Sequence, residues 1–160
     1  MTDVTSTEDP PLLGGITEHD REFEALDRLL RGELSAVEAY ARALQSVDAR
    51  LRPHLRKLQE SHRIRSEQIR NRIELFGGDA SESSGIWGAF ARLFETGATL
   101  LGDQKTLEAL EVGELHGLRE YRDLSELEPA TRAFVRSHLR PEQDRTYAAL
   151  GDLIREAQAA

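Results

Sequence analysis

The sequence contains no cysteine among its 160 residues. This absence excludes disulfides, thiolate metal ligands and cysteine nucleophiles, so any metal ion would be held by carboxylates and imidazoles. Long apolar runs are also missing, since no segment reaches the roughly 18 consecutive apolar residues of a spanning helix. The N-terminus is polar and acidic. We therefore expect no signal peptide, no membrane span and a cytoplasmic location.

Positive charge is in deficit, with 21 Lys and Arg residues against 29 Asp and Glu residues and a net charge of −8. An acidic chain is not expected to bind a phosphate backbone. The arginines alternate with glutamates, a pattern typical of solvated helix faces. The composition therefore predicts that nucleic acid is not a partner.

The length of the chain suits one compact domain. Residues 1–15 are rich in Thr, Ser, Asp, Pro and Gly and contain too little apolar surface to form a core. We expect a flexible tail over 1–15 and one domain over 16–160.

A nine-residue pattern occurs twice, as GELSAVEAY from Gly32 to Tyr40 and as GELHGLREY from Gly113 to Tyr121. Apolar residues spaced three and four apart around Glu33 place this glutamate on the apolar face of a helix. Burial of an unpaired carboxylate is costly. Each glutamate of the repeat is therefore expected to have a metal ion, a cation or a proton beside it.

The apolar spacing and the cap residues predict four helices and no strands. Their approximate ranges are 17–47, 53–76, 103–127 and 129–157. Pro141 lies inside the last range and is expected to kink or split that helix. The short first connection makes the first two helices antiparallel neighbours, whereas the segment before Asp103 is expected to cross the length of the bundle.

The predicted crossover contains an apolar segment from Ile86 to Leu101. Its aromatic residues Trp87 and Phe90 either cap one end of the core or form a partner or dimer surface. Association of this segment with a membrane surface is a further alternative, which the net acidity disfavours.

The second helix of each predicted hairpin carries a polar pair with a spacing of three residues: Gln59 with His62, and Glu142 with Arg145. This spacing places both members on one helix face. The two halves thus look like copies of one helical hairpin. We predict an all-α, up-down four-helix bundle made of two duplicated hairpins.

The order of these motifs resembles the ferritin-like superfamily, and more closely bacterial ferritin-like proteins of uncharacterised function. The similarity covers roughly residues 18–155. It rests on the two G-E-L…Tyr helices, the His-bearing helix that ends in Gly-Gly, the Gly-x-Trp crossover and the Pro-Glu-Gln of the fourth helix. The resemblance implies a two-metal carboxylate site at the bundle centre. By motif position its ligands fall on Glu33, Gln59, His62, Glu114, Glu142 and Arg145.

Two of these positions depart from the family pattern. Gln59 is a neutral amide, and the guanidinium of Arg145 cannot ligate a metal ion. We therefore interpret the six residues as a buried, ion-paired polar cluster in which Arg145 replaces the metal. Tyr40 and Tyr121 lie two turns after the glutamates and are expected to bond to buried polar groups.

The favoured function is a non-catalytic structural or interaction module, homodimeric, with a degenerate metal site and no cofactor. An unknown protein partner is also possible in this interpretation. The alternative is a metal-binding or redox protein that holds iron or manganese through Glu33, His62, Glu114 and Glu142. His138, four residues before Glu142, is an additional ligand if the fourth helix turns it inward.

Overall fold

The computed structural model describes residues 17–85 and 102–159, and every regular element in these ranges is helical. The elements are α1 (Glu18–Ser46), α2 (Arg52–Leu75), α3 (Asp103–Glu120), α4 (Pro129–Phe134), a π-helical turn (Val135–Leu139) and α5 (Arg140–Ala159). Because α4, the π turn and α5 follow one another without a break, we refer to residues 129–159 as the C-terminal helix. The prediction of an all-α protein with four helices is confirmed for the described residues. The predicted tail and the core of the predicted crossover lie outside them.

The helix ends follow local chemistry. Thr17 and Asp20 form a capping box, in which the Thr17 hydroxyl accepts from the Asp20 amide and the Asp20 carboxylate accepts from the Thr17 amide. Pro53 lies in the first turn of α2, where no intrahelical donor is needed. Gly77, with a φ of +74°, follows the end of α2 in the left-handed region that favours glycine.

Two apolar clusters fill the two ends of the bundle. One contains Ala43 of α1, Leu55 of α2, Leu107 of α3 and Leu153 of the C-terminal helix. The other contains Leu26 of α1 and Ile73 of α2. It also contains residues of the segment directly after α3 and residues at the beginning of the C-terminal helix. The start of α1 thus lies beside the end of α2, and the end of α1 lies beside the start of α3. Consequently α2 and α3 run in the same direction, each antiparallel to α1.

The C-terminal helix does not end or split at Pro141. Proline has no amide hydrogen to donate, and the turn before it widens so that the Arg140 amide bonds to the Val135 carbonyl, five residues back. Because of this wider turn, the residues after it that face the bundle interior lie one position later in the sequence than an uninterrupted α-helix would predict. The side chains that point inward after it are Gln143, Thr146 and Leu150.

No helix among the described residues is long and apolar enough to cross a membrane.

Candidate functional site

A group of polar side chains is enclosed between the two apolar clusters. Each of the four helices contributes to it, and its members are buried. We call this group the central network. It consists of Glu33, Tyr40, His62, Arg65, Glu114, Tyr121, Gln143 and Thr146.

His62 joins the two repeated glutamates. Its Nδ1 lies 2.7 Å from Oε2 of Glu33, and its Nε2 lies 2.8 Å from Oε1 of Glu114. The imidazole side chain is 3% exposed and its carboxylate partners are 3% and 0% exposed. An imidazole between two carboxylates donates from both nitrogens only when it is protonated.

Arg65 is the second cation of the central network and is fully buried. Its Nε donates to Oε1 of Glu33 at 2.9 Å, and its Nη1 donates to Oγ of Ser61 at 2.8 Å. Its Nη2 donates to Oε1 of Gln143 at 2.7 Å and lies 2.7 Å from Nδ1 of His62. Since a protonated Nδ1 has no lone pair to accept with, we assign the Nη2 bond to Gln143.

The two repeats exchange tyrosines. The hydroxyl of Tyr40, in the first repeat, donates to Oε1 of Glu114 in the second repeat at 2.6 Å. The hydroxyl of Tyr121, in the second repeat, donates to Oε1 of Glu33 in the first repeat at 2.6 Å. Each glutamate is therefore covered by the phenol of the opposite repeat.

The C-terminal helix completes the coordination of Glu114. Its Oε2 accepts from Nε2 of Gln143 at 2.7 Å and from Oγ1 of Thr146 at 3.2 Å. All four carboxylate oxygens of Glu33 and Glu114 consequently accept at least one hydrogen bond. This meets the general requirement that buried charges be both paired and hydrogen-bonded.

The charges in the central network balance. Burial alone would raise the pKa of Glu33, but Arg65 and His62 lower this pKa to about 2. Burial likewise opposes ionisation of Glu114, yet His62, Tyr40 and Arg65 hold its pKa below the usual range. Burial would lower the pKa of His62, and the two carboxylates outweigh it and raise this pKa. Two carboxylates thus face a guanidinium and an imidazolium, which gives no net charge.

Burial and the neighbouring carboxylates raise the pKa of Tyr40 and of Tyr121 well above the ordinary value. Both phenols therefore stay protonated and act as donors.

The residues of the central network do not fit a two-metal centre. The two nitrogens of His62 point in different directions, toward different carboxylates, and the Arg65 guanidinium lies against Glu33. A permanent cation at that distance repels a metal ion. Over 17–85 and 102–159, no group of three or more His, Asp or Glu residues is arranged to hold a metal ion.

Several sequence-predicted site residues lie elsewhere. The prediction that Arg145 supplies the buried cation is wrong, because its side chain is 68% exposed and pairs with Glu142, itself 41% exposed. His138 is also exposed, stacked on Phe134 with ring centroids 5.2 Å apart. These three placements follow from the wider π turn. Gln59 is half-buried and donates to the Val37 carbonyl at 3.0 Å instead of joining the central network.

The sequence reasoning missed Arg65, Gln143 and Thr146. Two signals in the sequence indicate Arg65. It follows His62 by three residues, a spacing that places it on the same helix face, and the two buried glutamates require a cation beside them. Gln143 and Thr146 share that spacing on the C-terminal helix. Their inward direction depends on the π turn, for which Pro141 is the only signal in the sequence.

A family model described as a domain of unknown function (DUF2383) matches residues 21–127. The chain belongs to the DUF2383 family. The DUF2383 match covers more than half of the chain and includes both repeated glutamates, His62 and Arg65. It ends before the C-terminal helix, so Gln143 joins the central network from outside the matched region. Neither the comparison with curated proteins nor that with solved structures gave a match.

Proposed function

We propose that this protein is a ferritin-like bundle in which built-in cations have replaced the metal centre, and that it serves as a non-catalytic structural or interaction module. The observation that carries the proposal is the position of Arg65, whose Nε lies 2.9 Å from Oε1 of Glu33 inside the bundle. This guanidinium and the imidazolium of His62 supply the two positive charges that balance the carboxylates of Glu33 and Glu114, a role that bound metal ions would otherwise serve.

The ferritin-like assignment is supported by the four helices and by the parallel course of α2 and α3. Such a pair requires a connection that crosses the bundle. Before the undescribed segment, the chain already passes along α1: the Ser81 hydroxyl donates to Asp27 at 2.8 Å and the Ser84 hydroxyl donates to Glu38 at 2.9 Å. These contacts favour a long crossover between two duplicated hairpins.

Metal analysis of the purified full chain, expressed with added iron and manganese, tests the proposal. We expect far less than one ion per chain and an unchanged melting temperature after treatment with a chelator. The Glu33→Gln variant and the surface control Glu142→Gln should both leave the metal content at this level. One or two ions per chain that are lost in Glu33→Gln and kept in Glu142→Gln would instead establish the iron or manganese alternative.

The partner that we propose is a second copy of the chain. Val112 and Leu115 are large apolar side chains within one turn of α3, 58% and 38% exposed. Light scattering coupled to size-exclusion chromatography should give a dimer that Val112→Glu dissociates. Leu75→Glu, at the end of α2, is the control. A monomeric wild type would refute the dimer and leave the ion-paired centre untouched.

A further inference from the structure

A second polar site lies between α2 and the C-terminal helix. It is a cavity of about 430 Å³ whose lining includes Ser61, Arg65 and His138. Sites for small molecules usually have volumes of roughly 300–1,000 Å³. The cavity is therefore large enough for a ligand of several non-hydrogen atoms. Of the central network, Arg65 lines it.

The lining has no net charge, although the chain as a whole has a net charge of −8. Lys57 and Arg145 line the cavity with Glu60 and Glu142. The charge of Arg65 is balanced by Glu33 in the central network. A cation of this lining can attract an anion only if the neighbouring carboxylates are paired with other cations.

Lys57 is the cation of this lining whose neighbouring carboxylates are paired with other cations. Glu142 is paired with Arg145, and Glu60 is paired with Arg63, which also bonds to Glu67. None of the described residues forms an ion pair or a hydrogen bond with Lys57. Its ammonium group is thus free to bind a ligand, with up to three donors.

Neutral donors and an apolar wall complete the lining. The Ser61 oxygen accepts from Arg65 at 2.8 Å, which leaves the Ser61 hydroxyl hydrogen to donate. Ile64, between Ser61 and Arg65 in the sequence, also lines the cavity and is 44% exposed. A ligand with one anionic group and one apolar part matches this combination.

We propose that this cavity binds a small organic anion, with its carboxylate or phosphate group held by Lys57 and Ser61 and its apolar part against Ile64. Arg65 forms the base of the site, and its charge is balanced by Glu33. Arg65 is the residue that the cavity shares with the central network, whereas Lys57, Ser61 and Ile64, which would contact the ligand, are not members of that network.

The test is a titration of the full chain, followed by the backbone amide signals in two-dimensional NMR at constant ionic strength. Benzoate is the organic probe and inorganic phosphate is the probe without an apolar part. We expect saturable benzoate shifts in residues 57–68 and 137–145. Loss of one charge-assisted hydrogen bond in Lys57→Gln should weaken benzoate binding about tenfold.

The chain offers a matched control in its other lysine. Lys105 is exposed and pairs with Glu108 on α3, away from the cavity, so Lys105→Gln should bind benzoate as the wild type does. Ile64→Ala should weaken benzoate binding and leave any phosphate binding unchanged. Shifts that fail to saturate, saturation with phosphate alone, or equal affinities for Lys57→Gln and Lys105→Gln would each overturn the proposal.

Discussion

At the scale of single residues, two arginines of similar chemistry occupy opposite environments. Arg65 is fully buried against Glu33, whereas Arg145 is largely exposed. Replacement of Arg65 by methionine keeps most of the side-chain length and leaves a buried carboxylate without its cation. We expect Arg65→Met to lower the free energy of unfolding by about 3–5 kcal/mol in urea denaturation at neutral pH.

Arg145→Met is the matched control and should change the same quantity by less than about 0.5 kcal/mol. Similar losses in the two variants would mean that the guanidinium of Arg65 does not neutralise the buried acids.

His62 gives the protein a pH dependence of defined sign. A folded-state pKa above the ordinary 6.5 contributes stability below pH 6.5 that is lost as pH rises through the folded-state pKa. Above that pH, Nδ1 can accept from Arg65 but no longer donates to Glu33. His62→Gln should therefore remove the alkaline decline in the free energy of unfolding, measured by denaturation from pH 6 to 9.

The exposed His138 supplies the comparison, and His138→Gln should keep the decline of the wild type. On the acid side, the pKa of Glu33 falls from 4.5 to about 2, so its contribution is present above pH 4.5 and is lost toward pH 2. An alkaline decline of equal size in His62→Gln and wild type would contradict the protonated bridge.

Single residues also show the limit of sequence reasoning. Glu33 and Glu114 could be identified because the repeat places a charge in an apolar face twice. The partner of Glu33 was harder to find, since Arg65 and Ser66 follow His62 by three and four residues and both fit its face. Only the packing between α1 and α2 decides that the guanidinium turns inward.

At the scale of elements, the π turn sets which face of the C-terminal helix reaches the centre. Because this turn holds one extra residue, deletion of Ser137, an exposed residue within it, should restore α-helical geometry and shorten the spacing of Val135 and Gln143 from eight residues to seven, about two helical turns. Both side chains then stay on the inward face, and we expect a loss of less than about 2 kcal/mol, measured by thermal unfolding with circular dichroism. Deletion of the exposed Asp144, in the regular part of α5, should instead rotate the flanking segments by roughly 100° relative to each other and cost at least about 3 kcal/mol.

Ser137→Ala keeps the length of the turn and should cost less than about 1 kcal/mol, the value of one side-chain hydrogen bond. A Ser137 deletion as damaging as the Asp144 deletion would contradict the presence of one extra residue in this turn.

The helices themselves could be predicted because spacings of three and four residues, capping residues and Gly77 are local signals. The turn at Val135–Leu139 could not, since proline within a helix is accommodated by a kink, a break or a wider turn. The tertiary bonds of Gln143 to Glu114 and Arg65 favour the last of these.

At the scale of the whole molecule, two bonds between phenols and carboxylates connect the hairpins. Tyr40→Phe and Tyr121→Phe each remove one hydrogen bond to a charged group and should each lower the free energy of unfolding by roughly 1.5–3 kcal/mol. Tyr147, the third tyrosine of the chain, is half-buried on the C-terminal helix. In urea denaturation, Tyr147→Phe should therefore stay within about 0.5 kcal/mol of the wild type. Equal effects of all three substitutions would argue against the hydrogen bonds of Tyr40 and Tyr121 to the glutamates of the opposite repeats.

The crossed tyrosines make each half of the polypeptide chemically incomplete. One hairpin alone would contain a glutamate without the tyrosine hydroxyl that donates to it, and only a second hairpin in the reverse orientation could supply that hydroxyl. A substitution of the tyrosine in one repeat therefore removes a hydrogen bond from the glutamate of the other repeat, so each repeat depends on the other at these positions.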